Sequence, residues 1–254
     1  MKDPDDFRMP ILEHLRELRG RLIVCLVALV GSFAISFVFA QDLFDWLAAP
    51  MNEALHSTGK GTLAVTLAME GFLVQMHISG FAALFVSSPI IFWQVWRFVA
   101  PGLYDTEKRW VLPLVVTSTS LFVGGAAFAY FVVFHFGFPV FLEMNGQDVQ
   151  AVLSIQSYLD FAATILVAFG VSFQLPVVVW FLARLGLVDH LDMLRGFRYS
   201  IVGIFVIAGI LTPPDVLSQV MMATPLVVLY GVGIIVARIV TTKVRTPPGE
   251  ADAD

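Results

Sequence analysis

Charge is scarce in this 254-residue chain. Lys, Arg, Asp and Glu together make up 14% of it, while 58% is hydrophobic. Soluble domains run at about 25% charged and about 45–50% apolar. That contrast, with a mean hydropathy of +0.83, excludes an ordinary water-soluble globule and makes lipid the solvent. Cysteine is nearly absent. Cys25 alone, inside the first apolar run, excludes an intrachain disulfide and a thiolate metal cluster, and reads as a small apolar side chain. A basic stripe is missing, so no nucleic acid partner is expected. The net charge of −5 comes largely from Asp3, Asp5, Asp6 and the acidic stretch Glu250 to Asp254. The sequence also lacks a His-Glu-x-x-His, a Gly-x-Ser-x-Gly and a phosphate loop. Its histidines, at 14, 56, 77, 135 and 190, are not spaced as metal ligands on one helix. No enzyme chemistry, metal or cofactor is therefore expected.

What is abundant is long apolar runs. A membrane-spanning helix takes about 20 apolar residues. Four runs qualify outright: Leu22 to Ala40, Phe72 to Trp96, Val111 to His135 and Phe161 to Leu182. Two shorter ones follow, Tyr199 to Leu211 and Val220 to Ala237, joined by the turn Thr212-Pro-Pro-Asp-Val-Leu-Ser218. Proline opens a helix readily and stops one that reaches it from behind, so this pair reads as a hairpin of two short spans. The fifth run reaches only about 20 Å at 1.5 Å per residue, against about 30 Å of hydrocarbon. It must recruit its flanks, or the bilayer must thin beside it. The first run follows about twenty polar and amphipathic residues and is long enough to span, so it reads as a retained anchor.

Orientation follows from Lys and Arg. The N-terminal segment carries Lys2, Arg8, Arg16, Arg19 and Arg21. The second connection carries Arg97, Lys108 and Arg109, the fourth Arg184, Arg195 and Arg198, and the C-terminal segment Arg238, Lys243 and Arg245. The first, third and fifth connections hold only Lys60. Six spans with both ends on one side give this split. The expected fold is all-α: a polytopic membrane protein of six transmembrane helices, N- and C-termini cytoplasmic, the last two helices short. Residues 1–240 form one membrane domain, opened by an amphipathic helix over about 9–21, and 241–254 a disordered cytoplasmic tail. The outer connections Gln41 to Gly71 and Phe136 to Gln156 are amphipathic and predict short capping helices.

Four polar constellations stand out. Ile11, Leu15, Leu18 and Leu22 form one helical face, with Glu17 and Arg21 four residues apart in the favourable order for an ion pair; this is either a solvated face or a binding surface. In the first inner connection, Asp105 or Thr106 can cap the third span and leave Glu107 in its first turn, near Phe98 at the interface. Gln174 lies inside the fourth span, where a polar group needs protein or water around it; it serves an interhelix hydrogen bond or a pocket open to lipid. Asp215, with Thr212 and Gln219, marks the outer hairpin as a cap or as a place where a partner helix docks.

Several of these segments resemble the TatC family of the twin-arginine translocase: His14-Leu-Arg-Glu-Leu-Arg-Gly-Arg-Leu22, Gln94 to Arg109, Phe128 to Phe134, Phe169 to Pro176 and Thr212 to Gln219. The resemblance covers nearly the whole chain. It implies a core export subunit that binds signal peptides with two consecutive arginines at the cytoplasmic face. It also implies that single-span partners of the TatB and TatA type help move folded proteins across a prokaryotic cell membrane, driven by the proton-motive force. By resemblance, Glu17 and Glu107 contact the arginines, with Arg19, Arg21 and Phe98 nearby, and Thr212 and Gln219 belong to a cluster where partner helices dock. Gln174 stands where many relatives carry glutamate, keeping hydrogen bonding and losing charge. Arginine keeps its charge and grips carboxylates two-pronged, so an acid pair suits it. The competing reading, a small secondary transporter or proton-coupled channel, needs several polar groups at mid-membrane, and only His77 and Gln174 come near that. An intramembrane enzyme lacks a catalytic set.

Overall fold

The structure, a computed structural model, describes residues 8–59, 61–64, 69–99, 111–144, 151–211 and 216–245. Nine α-helices are present among them: α1 (Arg8–Val38), α2 (Ala40–Thr58), α3 (Glu70–Val99), α4 (Val111–Phe128), α5 (His135–Met144), α6 (Ile155–Ser172), α7 (Leu175–Arg184), α8 (His190–Leu211) and α9 (Val216–Arg245). A π-helical segment, Ala129–Phe134, connects α4 to α5. Six stretches are long and apolar enough to cross a membrane: His14–Val38, Glu70–Val99, Val111–Glu143, Ile155–Arg184, His190–Leu211 and Gln219–Val240. These are the six runs expected from the sequence, and the last two, at 22 residues each, are the shortest.

The chain divides into two compact units. In the first, α1 lies along α3. Small side chains make that approach possible: Ser32 and Ser36 are buried on α1, and Ser79, Ala83, Ser87 and Ser88 on α3. The α3 hydroxyls are satisfied within their own helix. Ser79 Oγ donates to the Gln75 carbonyl at 2.6 Å, Ser87 to Ala83 at 2.7 Å and Ser88 to Phe85 at 2.7 Å. The Trp96 indole N–H donates to Ser118 Oγ at 2.9 Å, tying α3 to the start of α4. Elsewhere on α1, Leu22, Leu26, Val27 and Val30 stay exposed, as lipid-facing residues should. The expected amphipathic helix over 9–21 is the first part of α1, continuous with the span.

In the second unit, α4 and α6 meet at two glycines. A Cβ on Gly125 would stand 2.6 Å from the Phe169 carbonyl oxygen and 2.8 Å from Phe173, and one on Gly170 2.8 Å from the Phe122 ring. Phe169 is fully buried at this crossing, and Phe134 and Phe138, stacked on each other, are buried toward Tyr158 and Phe161 at the start of α6. The fourth span is broken: α6 ends at Ser172, Phe173 and Gln174 form a turn, and Pro176 opens α7. Proline has no N–H to offer the carbonyl four residues back, so one apolar run becomes two helices. α9 packs on both α7 and α8 over Val179, Ala183, Met193, Ala237 and Val240, and Tyr230 OH donates to the Met193 carbonyl at 2.9 Å.

Three details add to the sequence reading, the first by settling one of its two alternatives. The 13-residue fifth run sits in α8, which recruits His190 to Arg198 and reaches 22 residues, about 33 Å; helix length alone therefore imposes no thinning of the bilayer. α9 stays helical to Arg245, past the boundary expected at 240. The first and third connections are helical, as expected, in α2 and α5, though α5 to Glu143 continues the third span, and each connection also supplies a four-residue strand. β1 (Gly61–Ala64) and β2 (Ala151–Ser154) pair in parallel, Gly61 opposite Ala151 and Ala64 opposite Ser154. Runs this short carry no periodicity that would announce them.

The backbone oxygen facing Gly125 cannot yield as a side-chain tip can. Gly125→Ala should therefore destabilise the detergent-solubilised protein by on the order of 1–3 kcal/mol, read as a lower thermal midpoint. An unchanged midpoint would show that the α4–α6 crossing is looser than described.

Candidate functional site

The polar groups of α1 and α3 converge at one end of the first unit. His14, Glu17 and Arg21 follow each other at spacings of three and four and share a face of α1; Gln94 and Phe98, four apart, share a face of α3. Glu17 Oε1 accepts from Arg21 Nε at 3.1 Å and also from Arg21 Nη2. The remaining arm of the guanidinium, Nη1, donates to Gln94 Oε1 at 3.4 Å. Arg21 thus uses all three guanidinium nitrogens, two within α1 and one across to α3. A lysine ammonium has no fixed fork of this shape.

A second junction lies one turn away. The His14 imidazole stacks on the Phe98 ring, centroids 4.3 Å apart and planes at 17°. His14 Nδ1 stands 3.7 Å from Glu17 Oε2, too far for a hydrogen bond. Among the described residues Glu17 is therefore divided: one oxygen is held by Arg21, and the other faces His14 with room for a closer donor. Glu17 is half-buried and His14 exposed, so the open oxygen is within reach of solvent.

Of the residues expected at a signal-binding site, Glu17, Arg21 and Phe98 fall in this cluster. Arg19 does not. Two residues from both Glu17 and Arg21, it is turned roughly 200° away on the helix and lines a shallow exposed groove with Leu15, Leu18, Leu22 and Leu26. Glu107 lies outside the described residues, as do Thr212 and Asp215. Gln219 is described: its Nε2 donates to the Phe205 carbonyl at 2.8 Å, fastening α9 to α8. Gln174 is half-buried in the turn between α6 and α7, its N–H on the Val171 carbonyl at 3.0 Å and its carbonyl accepting from Val178 N–H at 2.9 Å. His14 and Gln94 were not singled out as site residues from the sequence. The signal was their spacing, three before Glu17 and four before Phe98, but only the packing of α1 on α3 makes the two spacings meet.

Six helices long and apolar enough to cross a membrane define the class of multi-pass membrane proteins. The chain matches the family model of TatC, Sec-independent protein translocase protein (TatC), over residues 13–225. It is 43% identical over 242 residues to the Sec-independent protein translocase protein TatC of Helicobacter pylori, covering 95% of this chain and 94% of that one. To the protein of the same name from Escherichia coli it is 38% identical over 236 residues, 93% of this chain and 91% of that one. A crystal structure of the twin arginine translocase receptor TatC superposes with a TM-score of 0.80 at 37% identity, over 90% of this chain and 99% of that chain. The chain belongs to the TatC family of Sec-independent protein translocase subunits, and is a transport component rather than an enzyme.

At the α8–α9 hairpin, a Cβ on Gly209 would stand 2.9 Å from Gln219 Nε2. Gly209→Ala should push the amide off the Phe205 carbonyl and cost on the order of 1–3 kcal/mol. Thermal unfolding in detergent checks this, and Gln219→Ala in the Gly209→Ala background should recover part of the loss.

Proposed function

We propose that the cluster at the end of α1 and α3 is the cytoplasmic receptor for signal peptides bearing two consecutive arginines. Glu17 carries the reading. It is a carboxylate with one oxygen already committed to a guanidinium, that of Arg21, and the other oxygen open. Phe98 offers an aromatic face beside it, and guanidinium groups stack on aromatic rings as well as bonding carboxylates. Arg21 and Gln94 brace Glu17, so the carboxylate is presented in one position rather than searching for it. Glu107, by its resemblance to the family pattern, supplies the second acid for the second arginine.

The rest of the function follows from family membership and the charge pattern. Both termini face the cytoplasm of a prokaryotic cell, in its inner or plasma membrane, because fourteen of fifteen Lys and Arg belong to that side. Copies of this chain associate in a larger complex. Single-span partners of the TatB and TatA type dock at the hairpin around Thr212, Asp215 and Gln219 and help carry folded precursors across, powered by the proton-motive force. Gln174 serves that passage by hydrogen bonding and packing, since an amide does not titrate.

Fluorescence anisotropy of a labelled twin-arginine signal peptide with the purified full chain in detergent tests the receptor role. Binding should be abolished by Glu17→Ala and weakened at least ten-fold, about 1.4 kcal/mol, when both peptide arginines become lysine. Arg21→Lys should weaken it too, by freeing the Glu17 carboxylate to wander. Equal affinity for the arginine and lysine peptides would remove the proposal.

A further inference from the structure

The contacts of His14 are those a bound guanidinium would make. Its ring is flat and lies against Phe98 at 4.3 Å and 17°. Its Nδ1 points at Glu17 Oε2, the oxygen that Arg21 leaves open. The fit is incomplete in one respect. At 3.7 Å, Nδ1 falls short of a hydrogen bond to Oε2 by roughly 0.5–1 Å. A guanidinium is broader, carries five donors in a plane and keeps its charge, so the same seat holds it better than it holds imidazole. His14 is also the least confined member of the cluster: its side chain is 52% exposed against 15% for Arg21. It can swing into solvent without disturbing the α1–α3 junction that Arg21 and Gln94 maintain.

We propose that His14 is a placeholder: in the free protein its imidazole fills the seat formed by the Phe98 face and Glu17 Oε2, and one arginine of the signal peptide displaces it. His14 then sets affinity by competition rather than by contact. Phe98 and Glu17 keep their orientation between precursors because the seat is never empty, and an arginine must out-compete a side chain already there. A peptide lysine, with a compact ammonium that cannot stack flat on Phe98, displaces His14 less readily, so the placeholder sharpens discrimination for arginine. The inference rests on the receptor reading above.

The anisotropy measurement, extended to His14→Ala and His14→Gln, tests it. Loss of the competing ring should tighten binding of the twin-arginine peptide about three- to six-fold, or roughly 0.7–1.1 kcal/mol at 1.4 kcal/mol per decade, and should narrow the gap between arginine and lysine peptides. His14→Gln, which keeps a polar side chain but no ring, guards against a folding defect in the alanine variant. A second readout is the ring resonance of His14 in protein labelled at histidine, assigned by its absence from His14→Gln. Saturating peptide should shift it away from the ring-current position that Phe98 imposes. Unchanged or weaker binding by both variants, or a His14 resonance unmoved at saturation, overturns the placeholder. Should the wild-type chain show no arginine-dependent binding at all, the receptor reading itself falls instead.

Discussion

Hydrocarbon offers no hydrogen bonds, and every other feature of this protein answers to that constraint. A backbone group left unpaired in lipid costs several kcal/mol, so six apolar stretches form helices. Serines buried between α1 and α3 turn their hydroxyls back on their own helix. Where Pro176 removes a donor inside the fourth span, the chain does not carry the defect silently. It turns through Phe173 and Gln174 and restarts as α7, the turn closed by the N–H of Phe173 and Gln174 on the Phe169 and Val171 carbonyls. With little apolar driving force between helices in lipid, close contact comes from fit instead, and Gly125 and Gly170 allow it at the α4–α6 crossing.

Polar side chains gather where α1 meets α3. The cluster of His14, Glu17, Arg21, Gln94 and Phe98 has a division of labour set by shape. Arg21, with a rigid fork of donors, is used structurally, joining α1 to α3 while fixing one Glu17 oxygen. The other oxygen and the Phe98 ring are left as a surface suited to a second planar cation. Arginine chemistry thus braces the site from within. Gln219 shows another use of a polar side chain: its amide donates to the Phe205 carbonyl of the neighbouring helix.

Much of this was legible in the sequence. Helix number followed from apolar run length, because the bilayer sets a minimum that loops and soluble helices seldom imitate. The Glu17–Arg21 pair followed from a spacing of four. The break at Gln174-Leu-Pro176 had its cause in view but not its consequence, since proline inside a span either kinks or interrupts it according to what surrounds it. The extent of α8 was left between two alternatives for a different reason. His190 to Arg198 is too polar to count as a span, yet a helix once begun continues at little cost through residues of ordinary propensity.

The sequence by itself determined how many times the chain crosses lipid, which residues bear charge, and which acids and arginines lie a helical turn apart, since these depend on local periodicity and on the solvent. Only the tertiary structure decided that Gln94 completes the Arg21 fork, that His14 lies on Phe98, and that Gly61–Ala64 pairs with Ala151–Ser154. Each joins residues far apart in the chain, and long-range pairing is governed by how whole helices pack, which no single segment encodes.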